Sequence, residues 1–70
     1  MSVGQDTVYL TIQEDGEEIK YLKNINVGDT ITYDLDTDKA NADPLTVNEV
    51  MSYVAVLKTQ EPNTKFVILT

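Results

Sequence analysis

The amino-acid sequence predicts an all-β fold in a single domain that covers residues 1–70. Short segments alternate β-branched or aromatic residues with polar ones, which is the period-two pattern of half-buried strands. Turn-forming residues separate these segments at short intervals, as at Asp15-Gly16 and Pro62-Asn63. A chain of this length buries only a modest core, and without cysteine it has no disulfide framework to support one.

Four strands are expected where the pattern is clear. Each combines alternating apolar residues with a turn signal at one or both ends; they cover Val8–Ile12, Ile19–Leu22, Thr30–Leu35 and Lys65–Thr70. The Asp15-Gly16 step favours a tight turn because glycine adopts positive φ without steric cost. A second turn is expected at Asn26–Asp29, and the polar residues 36–44 form the longest predicted loop.

The segment from Leu45 to Lys58 fits two different structures. Thr46 and Glu49 have the spacing of a helical capping box, and the apolar residues that follow fall on one helical face. Four valines and a tyrosine in the same segment favour strand instead. We prefer one strand over Leu45–Tyr53 and another over Ala55–Thr59, with a single helix as the alternative.

The net charge of the chain limits the classes of partner that it is expected to bind. Twelve acidic and five basic residues give a net charge of −7, which disfavours nucleic acid and anionic membranes because its field repels both. The same field favours a basic protein as partner, although acidity that serves only solubility is the simpler alternative. The sequence has no apolar run long enough to span a membrane and no signal peptide at its start, so a cytoplasmic location is expected.

The side chains available for chemistry are limited. The chain has neither cysteine nor histidine, which excludes an ordinary zinc site and leaves only oxygen ligands. Alternating oxygen-bearing side chains, which begin near the end of the third predicted strand, loosely resemble a calcium loop, but the expected glycine and glutamate are absent. These side chains belong to Asp34, Asp36, Asp38 and Asn41. We therefore expect no cofactor, no metal and no small-molecule substrate.

The end of the sequence is an apolar β run. Phe66–Leu69 carries no charge and no proline, so its backbone would be a template for association if one edge were left unpaired. One interpretation is that the next segment of this sheet lies on another polypeptide; the alternative is an inner strand that ends the sequence.

The order of these segments resembles the N-terminal half of an intein of the Hint superfamily. Ser2-Val3-Gly4-Gln5-Asp6-Thr7 matches a splice junction followed by a strand, and Val27-Gly28-Asp29 matches a turn that the family places before its next strand. The last strand leads in that family to a Thr-x-x-His motif, and Thr70 stands at the position of its threonine. The similarity covers essentially all 70 residues, and because cysteine is absent it points to a Ser-initiated split intein of the phage DNA-polymerase type.

The resemblance implies a Hint-like β fragment that a partner chain completes. Ser2 would perform the initial N-to-O acyl shift, and Thr70 would assist by hydrogen bonding. The histidines and the terminal asparagine would belong to a C-terminal intein fragment, expected to be basic, so the chain would be self-processing only in that complex, in the cytoplasm of a phage-infected bacterium. Met1 would be either a remnant of the flanking protein or the initiator.

Two other functions fit the same sequence. One is a small acidic phage protein that binds and inhibits a host protein. The other is an SH3- or OB-like structural module of a virion. In neither of these functions would Ser2 be catalytic.

Overall fold

The computed structural model describes residues 7–70, which form an antiparallel sheet with one α-helix packed on one of its faces. The elements in chain order are β1 (Tyr9–Ile12), β2 (Lys20–Val27), β3 (Ile31–Asp36), a 3-10 helix (Lys39–Asn41), α1 (Val47–Gln60) and β4 (Phe66–Leu69). The strands lie in the order β3-β2-β1-β4, so β3 and β4 form the two sides of the sheet. The predominance of sheet is as predicted.

The first predicted turn is present, and the second lies at residues 28–30 because β2 continues through Asn26 and Val27. Gly16 has φ of +78°, the conformation for which glycine was expected here, and Glu17 N–H donates to the Glu14 carbonyl at 3.0 Å. Gly28 N–H donates to the Thr30 carbonyl at 3.0 Å between β2 and β3. Glycine with a positive φ explains the first turn, whereas the position of the second depends on the length of β2.

The second strand is longer than predicted because a β-bulge carries it past the predicted end at Leu22. Lys23 pairs with Asp34 and Asn26 with Thr32, so two residues of β2 lie opposite one residue of β3. Asn24 occupies the bulge with φ of +53°, a left-handed conformation that asparagine tolerates better than most residues.

The prediction of two strands over Leu45–Tyr53 and Ala55–Thr59 is wrong, because Val47–Gln60 forms the helix α1. The capping box suggested by the alternative is present: Glu49 N–H donates to Thr46 Oγ1 at 3.1 Å, and Thr46 N–H donates to Glu49 Oε1 at 2.9 Å. Burial of one helical face against the sheet outweighs the modest strand preference of valine.

The core lies between α1 and the sheet. Its fully buried apolar side chains come from two strands and the helix, namely Leu10, Leu22, Val50 and Leu57. Thr11 is also buried, and its hydroxyl donates to the Val67 carbonyl at 2.8 Å, so this polar group is satisfied.

The segment after the 3-10 helix fills a gap between β1 and β2, which pair only at Thr11–Tyr21 and Ile12–Lys20. Asp43 N–H donates to the Leu22 carbonyl at 3.2 Å, and the Asp43 carboxylate accepts from Ile25 N–H at 2.8 Å. Leu45 exchanges two backbone hydrogen bonds with Val8, at 2.8 and 3.0 Å. Part of the predicted loop is therefore held between two strands.

Candidate functional site

The two catalytic residues predicted from the sequence are Ser2 and Thr70. Ser2 lies outside the described residues. Thr70 follows β4 and is exposed, and its backbone carbonyl accepts a hydrogen bond from Lys39 Nζ at 3.2 Å. The same ammonium lies 5.1 Å from the centre of the Tyr9 ring, within the range of a cation–π contact.

The register of β1 and β4 places Thr70 near the start of β1. Tyr9 lies opposite Leu69, so the next step along the antiparallel ladder brings Thr70 to the level of Val8. The chain enters β1 through Thr7, next to Val8. The first described residue and the last therefore lie at the same end of the β1–β4 pair.

The outer edge of β4 carries backbone groups that have no strand partner among residues 7–70. Gln13 N–H donates to the Lys65 carbonyl at 3.3 Å, so the backbone of Lys65 faces β1. Because the direction of backbone groups alternates along an antiparallel strand, Val67 and Leu69 also face β1. The N–H and C=O groups of Phe66 and Ile68 then point away from β1, and no strand among residues 7–70 pairs with them.

The side chains of β4 leave this edge unprotected. Natural sheet edges are commonly shielded by charge, proline or a bulge, and Phe66–Leu69 has none of these. Ile68 is 47% exposed, although its side chain is apolar. Within residues 7–70, β4 lies at the side of the sheet and is not the inner strand that was the alternative from the sequence.

Acidic residues lie beside the start of β4. The connection between β1 and β2 carries four exposed carboxylates, those of Glu14, Asp15, Glu17 and Glu18. Lys65 Nζ lies 3.2 Å from the Asp15 carboxylate, which brings this connection next to the first residue of β4. The apolar edge is therefore flanked at one end by negative charge.

The oxygen-bearing side chains compared above with a calcium loop hold the chain together instead. Asp36 Oδ2 accepts hydrogen bonds from Lys23 Nζ at 2.9 Å and Asn41 Nδ2 at 3.0 Å. Asp36 Oδ1 accepts from Asp38 N–H at 2.8 Å, and Asp38 Oδ1 accepts from Ala40 N–H at 2.9 Å. Within residues 7–70, no group of three or more acidic side chains is arranged to hold a metal ion.

These contacts change the acidity of the groups involved. The hydrogen bond from Asp38 N–H, together with those from Lys23 and Asn41, lowers the pKa of Asp36 to about 2. The hydrogen bond to Asp36 and the negative charge of that carboxylate raise the pKa of Lys23. Both groups are therefore charged at neutral pH, which suits a structural ion pair and not a proton donor or acceptor.

The four tyrosines form two pairs, of which the first, one residue on β3 and one on α1, packs against the core. Tyr33 and Tyr53 pack against the core, as expected for tyrosines in a small β-rich domain. Tyr9 and Tyr21 contact each other edge to face, with ring centres 6.5 Å apart. Burial and a hydrogen bond to the Glu61 carboxylate raise the pKa of Tyr33 well above its ordinary value.

No protein-family model, curated protein sequence or solved structure matches this chain significantly. Among residues 7–70, the only α-helix is too short and too polar to cross a membrane. The candidate site is thus defined by the geometry of the chain, which singles out the outer edge of β4.

Proposed function

We propose that the protein is a binding module that adds an extended, basic segment of a partner protein to the outer edge of β4, which has no paired strand among residues 7–70. The proposal is based on the backbone N–H and C=O groups of Phe66 and Ile68, which face away from β1. The strand that holds them has no charged residue to block pairing. In strand addition the main-chain hydrogen bonds supply affinity, and side chains in alternate positions supply specificity.

The charge of the chain supports a basic partner. Its net charge of −7 accelerates the approach of a positively charged segment. Beside the start of β4, the exposed carboxylates of the β1–β2 connection offer a place for a lysine or arginine of the added strand. An inhibitor of a host protein, one of the alternatives from the sequence, would bind in this manner.

A synthetic peptide with alternating valine and lysine tests this proposal. We expect it to shift the NMR signals of the Phe66 and Ile68 amides and to slow their hydrogen exchange, because these N–H groups become bonded. A peptide with glutamate in place of lysine should bind at least tenfold more weakly.

The matched variants are Ile68→Pro and Ile68→Val. Proline removes the outward N–H but no hydrogen bond to β1, so it should weaken peptide binding about tenfold, whereas valine should leave it nearly unchanged. Circular dichroism would show that both variants fold. Equal binding by the two variants, or by the two peptides, would contradict the proposal.

A second candidate is the N-terminal fragment of a Ser-initiated split intein, in which the added segment belongs to the C-terminal fragment. This candidate is favoured by the place of Thr70 at the end of the β1–β4 pair where the chain enters β1. Ser2 precedes Thr7 by five residues, a stretch that reaches at most about 18 Å when extended. Helix α1 departs from the all-β fold that the resemblance implies.

The chemistry of this candidate begins at Ser2. Its hydroxyl oxygen bonds to the carbonyl carbon of the preceding residue, the C–N bond to Ser2 breaks, and the released amine gains the proton that the hydroxyl loses. A hydroxyl needs an activating base and a stabilised oxyanion for this step. The chain has no histidine, so an imidazole base would come from the partner.

Splicing is tested by placing a reporter protein before Ser2 and adding the candidate C-terminal fragment. We expect a ligated product from the natural sequence, none from Ser2→Ala, and slower formation from Thr70→Ala. Thr59→Ala, an exposed threonine on α1, is the control and should splice normally. A product that persists in Ser2→Ala would exclude this reaction, and binding of the fragment without any product would leave only the first candidate.

A further inference from the structure

The other side of the sheet, β3, is closed by a side chain of the helix. Ile31 N–H donates to Gln60 Oε1 at 2.9 Å, and Gln60 Nε2 donates to the Ile31 carbonyl at 2.8 Å. Both backbone groups of one residue are therefore bonded to one carboxamide. Gln60 is the last residue of α1, so the end of the helix is joined to the first residue of β3.

This arrangement reproduces the contact that a neighbouring strand would make. In an antiparallel ladder a bonded residue donates its N–H and accepts at its C=O from one residue of the next strand. A carboxamide offers one acceptor and two donors on a planar group, which matches that requirement. The N–H and C=O groups of Ile31 face Gln60 and therefore point away from β2. The carboxamide thus occupies this position on the outer edge of β3.

The neighbouring residues strengthen the closure. The hydroxyl of Tyr33, the next residue whose backbone faces outward by alternation, donates to the Glu61 carboxylate. Asp34 on the same strand is exposed and charged, a feature that discourages pairing at natural sheet edges. β3 is thus protected by the helix end at Ile31 and by charge further along the strand, while β4 has neither protection.

We propose that Gln60 closes β3 to strand addition, so that the protein accepts a strand at β4 alone. If both edges were open, β4 of one copy could pair with β3 of the next. Such a head-to-tail contact does not end at a dimer and yields rings or open-ended assemblies. The Gln60 carboxamide therefore limits the protein to a single added strand; this inference rests on the proposed accessibility of β4.

The test compares Gln60→Ala with Lys58→Ala by light scattering coupled to gel filtration. Gln60→Ala opens the Ile31 position and should form oligomers whose mass rises with concentration, whereas the natural sequence and Lys58→Ala, an exposed change on the same turn, should stay monomeric. Adding Ile68→Lys to Gln60→Ala places a charge on β4 and should restore the monomer.

Several results would overturn the inference. A monomeric, folded Gln60→Ala protein would show that the carboxamide is not needed, and oligomers unaffected by Ile68→Lys would show that β4 is not the pairing strand. Amide exchange in the natural protein gives a check that needs no variant: the Ile31 amide should be protected, and fast exchange would contradict the closure. Peptide binding to β4 is measured separately in the natural protein. Its absence would contradict the proposed function and not the closure of β3.

Discussion

At the residue scale, Asp36 shows how one carboxylate can organise the segment that leaves β3. Its two oxygens accept hydrogen bonds from Lys23, Asp38 N–H and Asn41, which together tie β2 and the 3-10 helix region to the end of β3. The spacing of the acidic residues in the sequence shows the carboxylates but not the lysine across the sheet. Cross-strand register, not sequence spacing, selects Lys23 as the partner.

The low pKa of Asp36 predicts a loss of stability in acid. The pKa is about 2 in the folded chain against an ordinary value of 3.8, so the stabilisation is complete above about pH 4 and is lost as the pH falls towards 2. Asp36→Asn should remove this part of the pH dependence and lower stability at neutral pH. Urea unfolding from pH 2 to 7 measures it, with Glu18→Gln as an exposed control; identical pH profiles for Asp36→Asn and the natural protein would contradict it.

Leu57 anchors the helix to the core and has no exposed surface. We expect Leu57→Ala to lower the free energy of unfolding by about 2–5 kcal/mol, because it removes buried methyl groups and leaves a cavity. Val56→Ala on the adjacent, 44% exposed position should cost far less. Denaturant unfolding of both variants gives the comparison, and similar losses would mean that α1 does not bury the Leu57 face.

At the element scale, α1 decides the architecture because it covers one face of the sheet. Its valines favour strand when considered one at a time, yet Val50, Val54 and Leu57 fall on the buried side only in a helix. The capping box at Thr46 and Glu49 marks where the helix begins. The bulge at Asn24 changes the hydrogen bonding of β2, since it leaves Ile25 N–H to donate to the Asp43 carboxylate.

The capping box can be tested by Thr46→Ala, which removes the oxygen that accepts from Glu49 N–H. We expect a loss of about 1 kcal/mol in the free energy of unfolding, since that is typical of an N-cap threonine. Thr59→Ala near the other end of α1 is the control. If residues 45–59 formed two strands instead, Thr46→Ala would have little effect and the far-ultraviolet circular dichroism would lack a helical contribution.

At the scale of the whole molecule, the net charge of −7 acts on folding and on binding in opposite directions. Like charges repel within the folded chain, so salt should stabilise it, while the attraction of a basic peptide should weaken as salt screens it. We expect the melting temperature to rise and peptide affinity to fall between about 0.05 and 0.5 M NaCl. Calorimetry measures both, and an affinity that does not change with salt would argue against electrostatic recognition.

The core bears on whether the chain needs a partner to fold. Leu10, Leu22 and Leu57 are buried within residues 7–70 alone. We therefore expect the isolated protein to unfold in one cooperative transition, with a dispersed NMR spectrum beforehand. A spectrum of an unfolded chain that becomes dispersed only with a partner would show that a second chain supplies part of the core.

The amino-acid sequence alone is enough to predict the turn at Asp15-Gly16, the four segments that form strands and the acidic charge. Asp15-Gly16 and the alternation in Thr30–Leu35 act through neighbours in the chain, so they can be read without a fold. Only the tertiary structure decided that residues 47–60 are helical, because the choice depends on which face the sheet buries. It also decided the difference between the two sides of the sheet, since Gln60 and Ile31 are distant in sequence and meet only when α1 packs beside β3.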